Sequence, residues 1–222
     1  MPLEIHPIVL PLPLRMGTVN CYLLRAGDGF LLIDSGPAGQ RAALVRALQN
    51  AGCPPGSVQL LVLTHGDFDH TGNAGFLQQQ FGVKIALHGG DEGMLTHGDM
   101  FWNRKPPNRV MRWLAGRLFN QKDRANPDHA LADGEDLTPL GFDAQIIALP
   151  GHSRGSVGVL TAAGDLFCGD LLENVTHPML NTMMDDPETA QKSVEKLKSL
   201  PVQMVHPGHG APFLRSALFK EL

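Results

Sequence analysis

Residues 58–70 constrain this chain most. Val58-Gln59-Leu60-Leu61-Val62-Leu63 is a short apolar run of the kind buried inside α/β layers. It stops abruptly in Thr64-His65-Gly66-Asp67-Phe68-Asp69-His70, which sets four metal-competent side chains within six positions. Open α/β sheets place their ligands beyond the carboxyl ends of the strands. The stretch therefore predicts the start of a two-metal site that later loops must complete.

The 222 residues suffice for one large domain or two small ones, and a hydrophobic fraction of 43% is ample for a packed core. A formal net charge of -4 gives no electrostatic case for nucleic-acid binding. Cys21, Cys53 and Cys168 are an odd, widely spread set, which fits a reducing compartment better than a disulfide framework or a structural zinc site. Residues 1–7 carry an acid and two prolines but no basic flank, so they do not read as a secretory signal. No stretch is apolar for long enough to span a bilayer. The expected location is the cytoplasm.

Taken in order, residues 3–14 suit an edge strand interrupted by prolines. Asn20–Leu24 and Phe30–Ile33 form a hairpin across Ala26-Gly27-Asp28-Gly29. The second strand runs into Asp34-Ser35-Gly36, where Asp34 reads equally as a turn former or as support for a metal site. Residues 39–50 carry Leu44, Val45 and Leu48 on one helical face, and Gly52 and Pro54 end that helix. Asn73 is expected to cap a helix that runs to Phe81 and stops at Gly82. Lys84–His88 is a strand. Residues 91–130 then mix Met94, Met100, Phe101, Trp102 and Trp113 with Arg104, Lys105, Arg109, Arg112, Arg117, Lys122 and Arg124. Pro106-Pro107 splits this stretch, and a helix is expected over Asn108–Phe119. It reads either as a cap over the site or as an ordinary surface helix. The Thr-His-Gly-Asp repeat at 96–99 lacks the second Asp-His pair and is read as coincidence.

Three later strands each finish in a small-residue loop with a ligand type in it. His152 follows Pro150-Gly151, Asp170 follows Gly169, and His209 follows Pro207-Gly208. Glycine permits tight turns and close backbone approach, so that a short side chain can reach a shared centre. A lone His or Asp at a strand end is usually structural, whereas four such ends in one chain point to a common site. A helix over residues 187–200 with Asp186 as its cap, and a last strand at Val202–Val205, complete two sheets packed between helices.

Ile33-Asp34-Ser35-Gly36, the Thr64–Asn73 stretch, Leu149–Ser153, Gly169-Asp170 and Gly208-His209-Gly210 together resemble the metallo-β-lactamase superfamily, in that family's order and across essentially the whole chain. The resemblance implies a single α/β domain over residues 1–222 and a four-layer αβ/βα sandwich with the metals at one sheet edge; within that domain 91–130 stays open between a cap insertion and a surface helix. It also implies that His65, Asp67 and His152 hold a first metal, that Asp69, His70 and His209 hold a second, and that Asp170 bridges them. The commonest family pattern, H-x-H-x-D-H, has His where this chain has Asp67. A hard oxygen donor in place of a neutral nitrogen opens the site to iron or manganese, with zinc still the first expectation. The flavodiiron branch has a carboxylate there too, but with a flavodoxin domain that this chain lacks.

The expected activity is hydrolysis of a small ester, thioester or lactone by a metal-bridging hydroxide, with Asp69 orienting it. An iron-dependent oxidoreductase and a non-catalytic metal-binding protein are the alternatives. The chain has no extended carboxyl-terminal helical domain like that of the hydroxyacylglutathione hydrolases, and its one tyrosine is Tyr22, so no late tyrosine resembles that of the acyl-homoserine lactonases. His177 is a candidate substrate contact. His206 is passed over for His209 because of the Gly-His-Gly context, and Cys168 is read as core. The expected partner is a small molecule, with neither nucleic acid nor membrane involved and a homodimer left open.

Overall fold

The computed structural model describes residues 3–54, 56–104, 108, 110, 113, 116, 119 and 123–218. Alternating apolar strands build two six-stranded sheets. In the first, β1 (Glu4–Pro11), β2 (Thr18–Ala26) and β3 (Gly29–Ile33) pair antiparallel. Then β4 (Val58–Val62), β5 (Lys84–His88) and β6 (His129–Leu131) add on parallel. The second sheet has the order β12-β11-β9-β8-β7. Its strands are β7 (Ala144–Ala148), β8 (Val157–Thr161), β9 (Asp165–Asn174), β11 (Met204–Gly210) and β12 (Phe213–Leu214), with the short β10 (Met179–Leu180) on β9. Only β11 and β9 run parallel there.

The period-two alternation assigns each residue to a layer. Leu24, Leu31, Ile33, Leu60 and Val62 turn inward to meet Phe142, Ile146, Val159 and Phe167 of the second sheet. Their neighbours Leu23, Leu32 and Leu61 turn outward, onto Leu44 and Leu48 of α1 (Arg41–Asn50) and Leu77 of a following helix, Ala74–Phe81. On the far side Leu160, Leu166 and Val205 pack against Ala190, Val194 and Leu197 of the helix Pro187–Ser199. The result is the four-layer αβ/βα sandwich expected from the resemblance. Each such side chain taken from water contributes roughly 1.5–3 kcal/mol. No helix among the described residues is long and apolar enough to cross a membrane.

Three details differ from the sequence reading. Asn73 precedes the helix Ala74–Phe81 but its side chain does not cap it. Its amide instead donates to the carbonyls of Ser35 at 2.7 Å and Pro37 at 3.1 Å, tying the loop after β3 to the helix. Second, Asp170 and His209 do not end their strands. β9 and β11 continue past them, through register shifts at His206/Pro207 and Pro207/His209. Backbone pairing to a neighbouring strand carries these Gly- and Pro-containing segments despite their poor strand propensity. Third, the 91–130 stretch opens with a short helix, Glu92–His97, and returns to the sheet as β6. Most of the Asn108–Phe119 helix, the Pro106-Pro107 break, and Lys105, Arg109, Arg112, Arg117 and Lys122 lie outside the described residues. The Phe119 ring is described, and it stacks on Phe68 of the metal motif with centroids 4.4 Å apart.

Candidate metal centre

Two loops and two strand segments converge at the edge where the two sheets meet. The loop after β4 supplies His65, Asp67, Asp69 and His70, the last two on the single turn Phe68–Thr71. His152 follows β7, and Asp170 and His209 come from β9 and β11. All seven come together in overlapping sets. His65 with Asp67 and His152, His65 with His70 and Asp170, and Asp69 with His70 and His209 each bring donor atoms within 4.8 Å of one another. Asp170 lies between the two ends of the cluster. Its Oδ1 is 3.2 Å from His70 Nε2, while Oδ2 is 3.2 Å from His209 Nε2 and 4.0 Å from His65 Nε2. The approach is possible because residue 208 is glycine: a Cβ there would collide with the Asp170 carboxylate and with His70.

The outer nitrogens of the four imidazoles are committed. His152 Nδ1 faces the Met183 carbonyl at 2.6 Å and His209 Nδ1 faces the Thr18 carbonyl at 2.7 Å. A carbonyl only accepts, so each Nδ1 carries a proton and each Nε2 points inward, where it offers a lone pair once its own proton gives way to a metal. His70 Nδ1 donates to Asp34 Oδ2 at 2.8 Å. Asp34 also accepts from the backbone and the hydroxyl of Thr64, both at 2.8 Å, and that hydroxyl lies 3.0 Å from His65 Nδ1. Asp34 thus orients two imidazoles, one directly and one through Thr64. It does so from a left-handed backbone conformation, with φ of 60°.

Two further residues belong to the site without any local sign of it in the sequence. Asp91, fully buried, accepts from Gly66 N at 2.9 Å and from Ser153 Oγ at 2.5 Å through Oδ2, and from Gly155 N at 2.9 Å through Oδ1. It clasps the His65 loop to the His152 loop. Arg104, in sequence only one cation of the 91–130 stretch, is buried against the cluster. It donates to Asp67 Oδ1, to Asp185 Oδ2 at 2.7 Å and to the His152 carbonyl at 3.1 Å. It also lines a cavity of about 620 Å³ with Arg154, Asp185, Asp186 and Thr189.

The charges respond to this crowding. Burial disfavours the Asp67 carboxylate, but Arg104 outweighs it and holds the carboxyl well below its ordinary range. Burial raises Asp69. Burial also works against the imidazolium forms of His70 and His209, yet Asp170 overcomes it. His70 goes well above its ordinary value and His209 rises to about 9. Burial above all pushes the Cys168 thiol up to about 12, in keeping with its place in the core. His70, His152 and His209 therefore attract positive charge, as a proton or as a metal ion. The buried atoms His65 Nε2, His70 Nε2 and Asp170 Oδ1 have no hydrogen-bond partner, which is the condition expected of donors aimed at a cation. The residues present fit a pair of divalent metals.

The remaining candidates sit elsewhere. His206 is 2.8 Å from Asp165 and stacks on Phe167, away from the cluster. His97 stacks on Trp102 with centroids 3.5 Å apart. His177 is exposed and lines a separate cavity of about 150 Å³ with Leu172, Gln191 and Leu218.

A family model described as the metallo-beta-lactamase superfamily matches residues 14–209. The chain belongs to the metallo-β-lactamase superfamily. Among its relatives is metallo-beta-lactamase domain-containing protein 1 of Rattus norvegicus, 30% identical over 213 residues that cover 90% of this chain and 69% of that protein. Hydroxyacylglutathione hydrolase GloC of Haemophilus influenzae is 29% identical over 213 residues, covering 90% of this chain and 89% of GloC. Among solved structures, the superfamily protein TTHA1429 from Thermus thermophilus aligns with a TM-score of 0.73 and 25% identity over 96% of this chain and 76% of its own. TTHA1623, crystallised in a di-iron-bound form, aligns with a TM-score of 0.72 and 28% identity over 94% of both chains.

Proposed function

We propose that this superfamily member is a metal-dependent hydrolase of a small ester, thioester or lactone. His65, Asp67 and His152 would hold a first divalent metal, Asp69, His70 and His209 a second, and Asp170 would bridge them. The observation that carries this reading is the set of inward imidazole nitrogens facing three carboxylates, with His65 Nε2, His70 Nε2 and Asp170 Oδ1 buried and without hydrogen bonds. Bound there, two divalent cations supply an acidified water as nucleophile and polarise the acyl carbonyl.

The chain's own residues set the direction of attack. His209 and Asp69 are the most open of the cluster, with side chains 16% and 10% exposed, so substrate enters at that end. Asp69, at that open end, would orient the attacking water. No Ser or Cys nucleophile is required. Thioesters stay among the candidate substrates because a relative named hydroxyacylglutathione hydrolase, GloC, is matched over 89% of its length.

A second reading, an iron-dependent oxidoreductase, is favoured by the hard oxygen donor of Asp67 and by the di-iron form of TTHA1623. One experiment separates the two. Protein purified without added metal is assayed for metal content, then against a panel of esters, thioesters and lactones with and without chelator. Two divalent ions per chain and chelator-sensitive hydrolysis are expected. Iron with oxygen consumption and no hydrolysis would establish the second reading. A metal-free protein whose stability ignores chelator would leave only a binding role.

A further inference from the structure

Asp67 is the residue by which this chain departs from the commonest motif of its superfamily, and its two oxygens face different partners. Oδ2 points into the cluster, 3.0 Å from His152 Nε2 and 3.5 Å from His65 Nε2. Oδ1 is taken by the Arg104 guanidinium. Both side chains are almost sealed from water, Arg104 at 8% exposure and Asp67 at 5%. The same guanidinium holds the backbone carbonyl of His152 and the carboxylate of Asp185. Asp185 is two residues beyond Met183, whose carbonyl orients His152. One planar fork therefore touches a ligand side chain from the first sheet, the backbone of a ligand from the second, and the loop that orients that second ligand.

We propose that Arg104 is a positioning residue that makes Asp67 imitate a neutral histidine. It fixes the carboxylate as a one-oxygen donor and cancels its charge. The inference rests on the two-metal reading above. With Oδ1 occupied, a cation in the first site meets one oxygen and two imidazole nitrogens, and Asp67 cannot chelate with both oxygens. The Asp67–Arg104 pair sums to zero charge, as the neutral imidazole of the commoner motif does. Asp185 adds a negative charge on the far side of the guanidinium, but its side chain is 36% exposed and solvent screens it. Lysine could not replace the arginine, because a point charge does not hold three acceptors in one plane.

Asp67 and Arg104 therefore act as a unit. Asp67→His alone sets an imidazole against a buried guanidinium, and the ring must either turn from the metal or bind next to a fixed positive charge. Arg104→Met alone frees the second oxygen and adds a net negative charge, which favours a hard cation such as Mn²⁺ over Zn²⁺. The double variant restores a neutral ligand in an uncharged setting.

The test compares the full-length wild type, Asp67→His, Arg104→Met and the double variant. Zn²⁺ and Mn²⁺ stoichiometry and affinity are measured by competition with a chromophoric chelator, the Co²⁺ form by its visible spectrum, and folding by circular dichroism. Asp67→His is expected to weaken the first zinc by about tenfold or more. Arg104→Met should raise the Mn²⁺-to-Zn²⁺ affinity ratio by a similar factor, and the double variant should recover most of the lost zinc affinity. Zinc effects that simply add in the double variant, or an unchanged ratio in Arg104→Met, would overturn the proposal. Should Arg104→Met not fold, Arg104→Lys serves in its place: a ratio shifted toward Mn²⁺ supports the proposal and an unshifted one overturns it. A wild type that binds fewer than two ions would remove the two-metal reading and this inference with it. A wild type that binds two, with additive variants, would remove the inference alone.

Discussion

Asp34→Asn tests whether a carboxylate that touches no cation nevertheless governs the centre. Asparagine has nearly the same shape and tolerates a φ of 60°, so the backbone strain at this position is unchanged. What changes is one acceptor. Asp34 receives three donors, the Thr64 backbone and hydroxyl and His70 Nδ1, each at 2.8 Å. If the amide nitrogen takes the place of Oδ1, it confronts the fixed Thr64 N–H. If it takes the place of Oδ2, it confronts His70 Nδ1, and the ring keeps a hydrogen bond only by moving its proton to Nε2, the atom meant for a metal. The first arrangement leaves a buried donor unsatisfied, at about 1–3 kcal/mol. In a domain of this size that corresponds to a melting temperature lower by roughly 2–12 °C. The second costs about 10–100-fold in metal affinity. Metal-free protein is melted with circular dichroism as the readout, and zinc affinity is measured by chelator competition. A variant that keeps both its melting temperature and its zinc affinity would refute the role given to Asp34.

Gly208→Ala drives a methyl group into the Asp170 carboxylate and His70, so metal content should fall from two ions per chain while the metal-free fold persists; full occupancy in a metal assay would contradict the packing described. Phe142 is fully buried between the sheets, and Phe142→Ala should cost about 3–5 kcal/mol in urea unfolding, with a loss below about 1 kcal/mol showing that the inter-sheet core is misplaced. Asp128 accepts from the Ile85 backbone, Gln78 and Lys84, which lowers its carboxyl pKa in the folded state. A lowered folded value adds stability above the unfolded pKa of about 3.9 and loses it as pH falls through the folded value. The stability gap between wild type and Asp128→Asn should therefore shrink below about pH 4, and a gap constant down to pH 3 would deny the effect.

Much of this arrangement is legible along the chain, and what escapes does so for physical reasons. The apolar run 58–63 and the His-Asp cluster after it are local signals, and so are the hairpin turn at 26–29 and the Asp186 cap, whose carboxylate accepts from Thr189 N at 3.0 Å. The supporting shell is not local. Asp91 closes on Gly66 from 25 positions away and on Gly155 from 64, and nothing near it in sequence distinguishes it from an ordinary aspartate before a helix. Arg104 is one cation among seven in its stretch, and only its burial singles it out. Asn73 occupies a capping position, but three backbone carbonyls of a distant loop offer its amide a better use. Strand extent is hidden where histidine, proline and glycine line up at 206–210, since the partner strand that carries them comes from residues 165–174.

The seven donors divide unevenly between the halves of the chain: four come from the first sheet's loop and three from the second sheet. Neither half, expressed as a separate fragment, would own a complete set for the pair. Ions held there would act as a clasp across the seam, and their release would report parting of the halves before either sheet unravelled. In a split version of the protein cut near Asp133, metal uptake would become a gauge of reassembly.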